Sequence, residues 1–312
     1  GDNLAIRGVL EARSRKGKHI VASAIEHAAV LETLKHLAER GLCEYTLISP
    51  DEKGYISPED VVAAIRGDTV LVTVMAVNNE VGTVQPIQEM VRQVKAKDNA
   101  IYFHTDAVQA LGKIPCRVAD QGVDLLTVSG HKLAGPKGIG SLYCRRGIRL
   151  SSQITGGGQE EGLRSGTENV PGIAGFGLAV ELAMNHMTER VRNWRELQEH
   201  LLRLLEEIPD SHVHGEPLAN APHIVNVGFS GVRGEVLVHA LANEGIFVST
   251  GSACSSKRAP QSHVLAAMQV PQDVAEGSIR ISFGPDNTTE EVEMAGEVIA
   301  KTVAELRRFQ RQ

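Results

Sequence analysis

The chain has 312 residues, of which 42% are hydrophobic and 22% are charged, so it can bury a sizeable core in one domain or in two. Its net charge of -6 gives no basic field that would attract nucleic acid, and no apolar run reaches the roughly 20 residues that span a bilayer. Since the four cysteines are far apart and form no C-x-x-C pair, we expect neither a metal site nor a disulfide framework.

In the first half of the chain, short apolar or β-branched runs alternate with helical patterns. We predict strands at residues 19–23, 44–49, 69–77, 101–105, 124–129 and 139–144. Helical periodicity occupies residues 28–40, 58–66 and 87–97 between them. This alternation predicts βαβ units and a mainly parallel sheet, which would bind a ligand at the carboxyl ends of its strands.

The second half begins with a long helical pattern over residues 171–208. After it we predict strands at residues 224–229, 246–249 and 278–282, and helices at residues 235–243, 262–268 and 289–309. We therefore expect a large α/β domain over residues 1–210 and a small α+β domain over residues 211–312.

A lysine at the end of a predicted buried strand is the strongest local signal. Lys132 closes the run SGHK, and a glycine-rich turn follows at residues 135–138. A lysine held there can lose its proton and bond covalently to an aldehyde, although most lysines in turns are solvated and idle. Asp106 ends the preceding strand, where it can keep a ring nitrogen protonated or merely cap the next turn. Gln109 shares its face at spacing i+3 and can donate to a phenolate oxygen of the same ring.

Cys254 differs from the other cysteines in its surroundings. It lies in a small, polar stretch and is followed closely by Lys257 and Arg258. Such a loop suits a nucleophile that has to move, and the two cations favour the thiolate that attacks. The other cysteines lie in or beside apolar runs, and we expect them to be buried and inert.

Seven segments together resemble the cysteine desulfurase family. They are EH at 26–27, VNNEVG at 77–82, TDAVQ at 105–109, SGHK at 129–132, RSGT at 164–167, GSAC at 251–254 and SIR at 278–280. The resemblance covers essentially the whole chain and implies fold type I, the α/β fold of class V aminotransferase-like pyridoxal-phosphate enzymes. It also implies a homodimer and a cytoplasmic location, or a mitochondrial one if a transit segment precedes this sequence.

The resemblance assigns roles to matching residues. Those implied to bind pyridoxal 5'-phosphate are Lys132, Asp106, Gln109, Ser129, His131, Thr167 and His27. Lys132 would hold the cofactor covalently, while Ser129 and His131 would bind its phosphate. Thr167 would reach the phosphate site of the partner subunit, and His27 would lie over the ring and move protons.

The resemblance also implies a substrate and a reaction. Asn79 and Arg280 would clamp the carboxylate of L-cysteine, since a guanidinium forms a bidentate fork with a carboxylate. L-cysteine would become L-alanine, and its sulfur would stay on Cys254 as a persulfide before passing to an iron–sulfur scaffold or another acceptor protein. The catalytic residues would be Lys132, Cys254 and His27.

More ordinary interpretations of three of these residues stay open. His27 can be a first-turn residue of its helix with ordinary hydrogen bonds, Asn79 can belong to a turn, and Arg280 can face outward from a strand. For the whole chain, the alternatives are a selenocysteine lyase, a non-catalytic sulfur-relay scaffold and a generic aminotransferase. The last of these has no use for the Cys254 loop.

The sequence departs from the family pattern at its start. Family members carry a Thr-Glu pair just before the stretch that matches residues 1–3, and the threonine helps to bind the cofactor phosphate. We therefore expect a sequence truncated at its N-terminus, which binds the cofactor weakly or is one piece of a longer product.

Overall fold

The computed structural model describes residues 1–251 and 262–310. By their contacts, these residues form two units. Unit 1 comprises Gly1–Ser49, Ile56–Val77 and Gln85–Met187, whereas unit 2 comprises Pro50–Tyr55, Asn78–Val84 and the described residues from Thr188 onward. The domain division at residue 210 stays a prediction. By their contacts, the residues of the helix before it belong to unit 2 from Thr188 onward.

Unit 1 is built on a twisted sheet of parallel strands with one antiparallel edge. The strands are β1 (His19–Ser23), β2 (Glu44–Ile48), β3 (Thr69–Thr73), β4 (Tyr102–Asp106), β5 (Leu125–Ser129) and β6 (Gly140–Cys144). Their order in the sheet is β2-β1-β3-β4-β5-β6. Only the pairing of β5 with β6 is antiparallel among these strands. The predicted α/β fold with a mainly parallel sheet is confirmed.

Burial explains the composition of the strands. β1, β3 and β4 are buried at every position, as expected for central strands with nearly continuous apolar and β-branched sequences. Ile6 and Val9 of α1 (Asp2–Ala12) pack with Ile20 and Leu71 in the core of unit 1. Full burial of one such side chain contributes about 1.5–3 kcal/mol.

The remaining helices of unit 1 follow from periodicity and capping. They are α2 (Ala28–Glu39), α3 (Pro58–Ala63), α4 (Ile87–Lys97), α5 (Val118–Gln121) and α6 (Val170–Asn185). The buried residues of α4 recur at helical spacing and are Ile87, Met90, Val91 and Val94. α6 is capped by Asn169, whose side chain accepts the N–H of Gly172 at 3.1 Å.

Two fully buried histidines bridge neighbouring strands of this sheet. The ring nitrogens of His104 on β4 bond the hydroxyls of Thr73 and Thr127 at 2.8 and 2.9 Å. His19 on β1 makes the same kind of bridge to threonines of β3 and β2. Burial lowers the pKa of His104 to about 4, so the ring is neutral near pH 7. The bridges satisfy polar groups within the sheet.

Unit 2 is an α+β arrangement with its own core. Its elements are α7 (Met187–Glu206), β7 (Ser211–Val213), β8 (Ile224–Phe229), α8 (Gly234–Asn243), α9 (His263–Ala267), α10 (Gln272–Glu276), β9 (Ser278–Ser282) and α11 (Thr289–Gln310). β8 lies between β7 and β9 and pairs antiparallel with both. The apolar face of α7, with Trp194 and Leu201, packs in one core with Phe229 and Ile279.

Two local expectations differ from the structure. Residues 171–208 form two helices, because α6 ends at Asn185 and His186 leaves helical geometry with φ −101° and ψ 4°. Asparagine and histidine are poor helix formers and favour such a break. Of the strand expected at residues 246–249, only Ser249 forms a bridge, with Arg280. No helix in the described part of the chain is long and apolar enough to cross a membrane.

Candidate active site

The carboxyl ends of the parallel strands carry most of the polar residues singled out from the sequence. β4 ends at Asp106, β5 ends at Ser129, and His27 follows β1 at the start of α2. The strand order switches at β1, which has β2 on one side and β3 on the other. Since open α/β sheets bind ligands at the carboxyl edge near such a switch, this edge of unit 1 is a candidate ligand site.

Asp106 is a buried acid with a shifted pKa. The residue is 6% exposed, and its Oδ1 accepts the N–H of Val108 at 2.9 Å, so it does cap the turn that follows β4. Burial and then the charge of Asp2 raise the pKa of Asp106 to about 7, while the charge of Lys132 acts in the opposite direction. A carboxyl group in this setting is stabilised as the anion by a cation placed against it, such as a protonated ring nitrogen.

A second buried acid, Glu26, lies close enough to interact with the first. Its Oε1 accepts hydrogen bonds from the Ser23 hydroxyl at 2.5 Å and the Met75 N–H at 2.7 Å. Burial raises the pKa of Glu26 to about 8, and the charges of Asp106 and Asp2 add to this effect. Glu26 therefore carries a proton near pH 7, so it adds no second negative charge beside that of Asp106.

Lys132 lies in a 3₁₀ turn, Gly130–Leu133, directly after β5. Its positive charge opposes the burial that raises the pKa of Asp106, and it adds to the burial that lowers the pKa values of Lys113 and His131, so the amine is within electrostatic reach of the acid. The turn is packed tightly, because a Cβ on Gly130 would come within 3.0 Å of the side chains of Ile139 and Phe176. This close packing explains the glycine and fixes the backbone that carries the lysine.

Gln109 is 9% exposed and lies in the turn after β4. Its Oε1 accepts a hydrogen bond from the amine of Lys113 at 3.2 Å. The partner is itself buried, with 8% of its surface exposed. The amide of Gln109 is thus held from one side by a lysine four residues further along the chain.

Ser129 and His131 form a polar pair beside Lys132. The Ser129 hydroxyl lies 2.8 Å from Nδ1 of His131. Burial lowers the pKa of His131, with the charges of Lys132, Lys137 and Lys113 acting in the same direction. Three lysines near one imidazole and one hydroxyl form a positive environment that suits a phosphate.

His27 begins α2 rather than lying within its first turn. Its Nδ1 accepts the N–H of Ala29 at 3.1 Å, which caps the helix. Because Nδ1 is used as an acceptor, the proton of the neutral ring lies on Nε2. In this tautomer the ring can donate a proton from Nε2, while the lone pair of Nδ1 is used for capping.

Thr167 lies apart from this group. It is exposed on the stretch between a 3₁₀ turn at Glu160–Gly162 and α6. The exposure leaves its hydroxyl accessible to a second molecule.

In unit 2 the two residues expected to bind the substrate contact each other. The Nη1 of Arg280 donates to the backbone carbonyl of Asn79 at 2.9 Å. Arg280 lies on β9 and is half-buried, so it does not face bulk water as a plain surface residue of a strand would. The side chain of the preceding Asn78 accepts the N–H groups of Glu80 and Val81, which is ordinary turn chemistry.

Cys254, Lys257 and Arg258 lie outside the described residues. The other cysteines are Cys43, which is buried, and Cys116 and Cys144, which are half-buried. Burial raises the pKa of each of these three thiols, to about 11 for Cys43. They are therefore protonated near pH 7 and are poor nucleophiles.

Glu26 and Lys113 are two buried residues of this site whose types and positions in the sequence predict no role for them. Glu26 is the first residue of the EH motif, and it follows an apolar strand, which is a weak sign of burial. Lys113 follows Gln109 at spacing i+4, the spacing at which two side chains of a helix contact each other, and this is the one sign in the sequence that the two residues could be paired. Burial of a lysine is rare, so only the structure could reveal it.

Comparisons with known proteins agree on one family. A family model described as aminotransferase class-V matches residues 1–294. A cysteine desulfurase IscS of Methanosarcina thermophila is 46% identical over 306 residues, which are 98% of this chain and 75% of that protein. A solved structure of a NifS-like protein superimposes with a TM-score of 0.91 at 38% identity, covering 97% of this chain and 80% of that one. A structure of SspA in complex with cysteine gives a TM-score of 0.73 at 35% identity, covering 92% and 79% of the two chains.

Proposed function

This chain belongs to the cysteine desulfurase family of class-V aminotransferases, and on that basis we propose that it binds pyridoxal 5'-phosphate at the carboxyl edge of unit 1 and transfers sulfur from L-cysteine to Cys254. The chain is a cysteine desulfurase, a sulfurtransferase. The observation that carries the proposed site is the buried Asp106, at the end of β4, within reach of the charge of Lys132.

The residues at this edge fit pyridoxal phosphate chemically. The cofactor presents an aldehyde, a ring nitrogen, a phenolate oxygen and a phosphate. Lys132 offers an amine to the aldehyde, and Asp106 offers a buried carboxyl to the nitrogen. The pair Ser129 and His131, in a field of lysines, offers donors to the phosphate. The amide of Gln109 offers a donor to the phenolate oxygen.

When bound, pyridoxal phosphate would withdraw electrons from the α-carbon of the substrate. The residues of this chain supply the position and the charge balance that this chemistry needs. An ionised Asp106 holds the ring nitrogen in its protonated state, and a protonated Glu26 avoids a competing negative charge. Removal of Asp106 therefore weakens catalysis without removing the amine.

Substrate binding is assigned to Asn79 and Arg280. The guanidinium of Arg280 carries several N–H donors in a planar fork, and this geometry suits the carboxylate of L-cysteine. SspA, a structural relative, has been solved in complex with cysteine, which supports the same substrate for this chain. His27 donates a proton through Nε2, the nitrogen that carries the hydrogen of the neutral ring and is not used for capping.

Sulfur transfer is assigned to Cys254. Its thiolate sulfur forms a bond to the sulfur of L-cysteine while the bond between that sulfur and the substrate carbon breaks. The carbon receives a proton, so the products are L-alanine and a persulfide on Cys254. The outer sulfur then passes to an acceptor protein, such as a scaffold for iron–sulfur clusters, in a reducing compartment such as the cytoplasm.

The test of this function uses the purified protein with added pyridoxal phosphate. We expect a visible absorption band from the bound cofactor and release of alanine from L-cysteine. Asp106→Asn should lower alanine release by about 10- to 100-fold, the loss expected for one charge-assisted hydrogen bond. Asp120→Asn, the same change at an exposed acid on α5, is the matched control and should leave the rate unchanged. Equal rates in both variants would refute the assigned role of Asp106.

The proposed enzyme is a homodimer, and an apolar helix supports this. α6 has Glu181 as its only charged residue, yet its side chains are widely exposed, with 66% exposure for Val170 and 56% for Leu178. Thr167, proposed to reach the partner subunit, precedes this helix on the same stretch of chain. An apolar surface of this kind is typical of an interface.

Sedimentation equilibrium tests the dimer directly. The protein should have the mass of two chains, and Leu178→Glu should shift it toward one chain by placing charges in the apolar interface. The exposed face of α4 provides a control, because Gln88→Glu adds the same charge away from α6. A single-chain mass at every concentration would exclude the dimer.

A further inference from the structure

Lys113 is a buried lysine that the proposed reaction does not use. Its surface is 8% exposed, although burial of an ammonium group is costly unless it is bonded. Its Nζ donates to Oε1 of Gln109 at 3.2 Å and, in a longer contact, to the carbonyl of Val108 at 3.4 Å. Both of these hydrogen bonds from Lys113 go to the turn that carries Gln109.

The bond from Lys113 selects one of two orientations for the Gln109 amide. A glutamine amide has an acceptor oxygen and a donor nitrogen of nearly equal size, so packing alone discriminates poorly between them. An ammonium group donates only, so the oxygen must face Lys113. In this orientation the nitrogen lies on the other branch of the amide, from which it can donate.

We propose that Lys113 is a positioning residue that orients the Gln109 amide so that its NH₂ group donates to the phenolate oxygen of pyridoxal phosphate. This inference rests on the proposed cofactor site and extends it by one residue. Lys113 acts through Gln109 and does not itself touch the cofactor or the substrate.

The electrostatics of the site agree with this arrangement. Burial lowers the pKa of Lys113 to about 8, and the charge of Lys132 acts in the same direction. At pH 7 most of the population therefore keeps the ammonium form, which cannot accept a hydrogen bond. As the pH rises through about 8, the neutral amine gains a lone pair and its preference for the amide oxygen weakens.

The experiment measures the visible spectrum of the cofactor-bound protein without substrate, as a function of pH. A donor at the phenolate oxygen stabilises the bound cofactor in its less protonated form. Lys113→Met keeps the length of the side chain and removes the donor. We expect the midpoint of the spectral titration to rise by about 0.5 to 1 pH unit, the effect of losing one hydrogen bond.

Three further variants separate positioning from other effects. Lys113→Gln retains a neutral donor and should lie closer to wild type. If Lys113→Met does not fold, Lys113→Leu takes its place, since it also removes the donor. Lys97→Met removes a lysine from an exposed site on α4 and should leave the midpoint unchanged. In a Gln109→Leu background, Lys113→Met should add no further shift, because its effect passes through the amide.

The outcomes distinguish this inference from the function on which it rests. If wild type shows no cofactor band, the proposed cofactor site fails and the inference fails with it. If wild type shows the band but Lys113→Met has the wild-type midpoint, only the inference is overturned. An equal shift with and without Gln109 also overturns it, since the charge of Lys113 would then act directly on the cofactor.

Discussion

Replacing Lys132 by alanine should abolish the visible absorption band of the bound cofactor and reduce alanine release from L-cysteine by at least about 10²–10⁴-fold, the range for loss of a positioned proton-transfer group. The physical reason is that an alanine has no amine to bond the aldehyde or to return a proton. The turn itself should persist, because the tight packing is at Gly130. Absorption spectroscopy and an alanine assay on the same preparation measure both effects.

A lysine in the same glycine-rich turn provides the control. Lys137 is exposed five positions further along and also carries a charge that acts on His131. Lys137→Ala removes a positive charge near the phosphate donors but no amine next to Asp106, so the absorption band should remain. If Lys132→Ala kept the band and Lys137→Ala lost it, the wrong lysine would have been assigned.

Replacing Cys254 by serine should stop sulfur transfer while leaving the cofactor band in place. A hydroxyl is not ionised near pH 7 and is a far weaker nucleophile toward sulfur than a thiolate. We expect alanine release from L-cysteine to fall by at least about a hundredfold, as is usual for removal of a nucleophile. Mass spectrometry after reaction with L-cysteine should find a persulfide on the wild-type residue.

The half-buried cysteines are natural controls for this prediction. Burial raises the thiol pKa values of Cys116 and Cys144, so Cys116→Ser and Cys144→Ser should both retain sulfur transfer. Normal turnover by Cys254→Ser would remove this residue from the mechanism. Parallel assays with L-selenocysteine as substrate measure chalcogen preference and so test the selenocysteine lyase alternative.

Much of the fold of unit 1 was predictable because its signals are local. A buried parallel strand favours a run of apolar and β-branched residues, and β3 is such a run. Helix ends also follow local chemistry, as where Ser57 accepts the N–H of Asp60 at the start of α3. The break at His186 was missed because the apolar pattern continues on both sides of it.

The candidate site was predictable only in part. Asp106 and Lys132 were identified from the order of the motifs and from their positions at the ends of strands. In the structure, the charge of Lys132 acts on the pKa of Asp106. The roles of these residues stay predictions. Neither Glu26 nor Lys113 could be assigned from the sequence, because their importance depends on burial and on contacts that the pattern of residue types does not reveal.

The division of the chain constrains the order in which the protein can be made. The backbone passes between the two units five times, and residues 78–84 belong to unit 2 although they precede most of it. The carbonyls of Asn79, Glu80 and Val81 accept hydrogen bonds from the side chains of Arg280, Asn226 and Asn220. At a ribosomal speed of about 5–20 residues per second, the donors are synthesised on the order of ten seconds after these carbonyls. A nascent chain therefore completes these three hydrogen bonds only after Arg280 has been synthesised, and a fragment excised from Thr188 onward would lack three of the acceptors that its own side chains use.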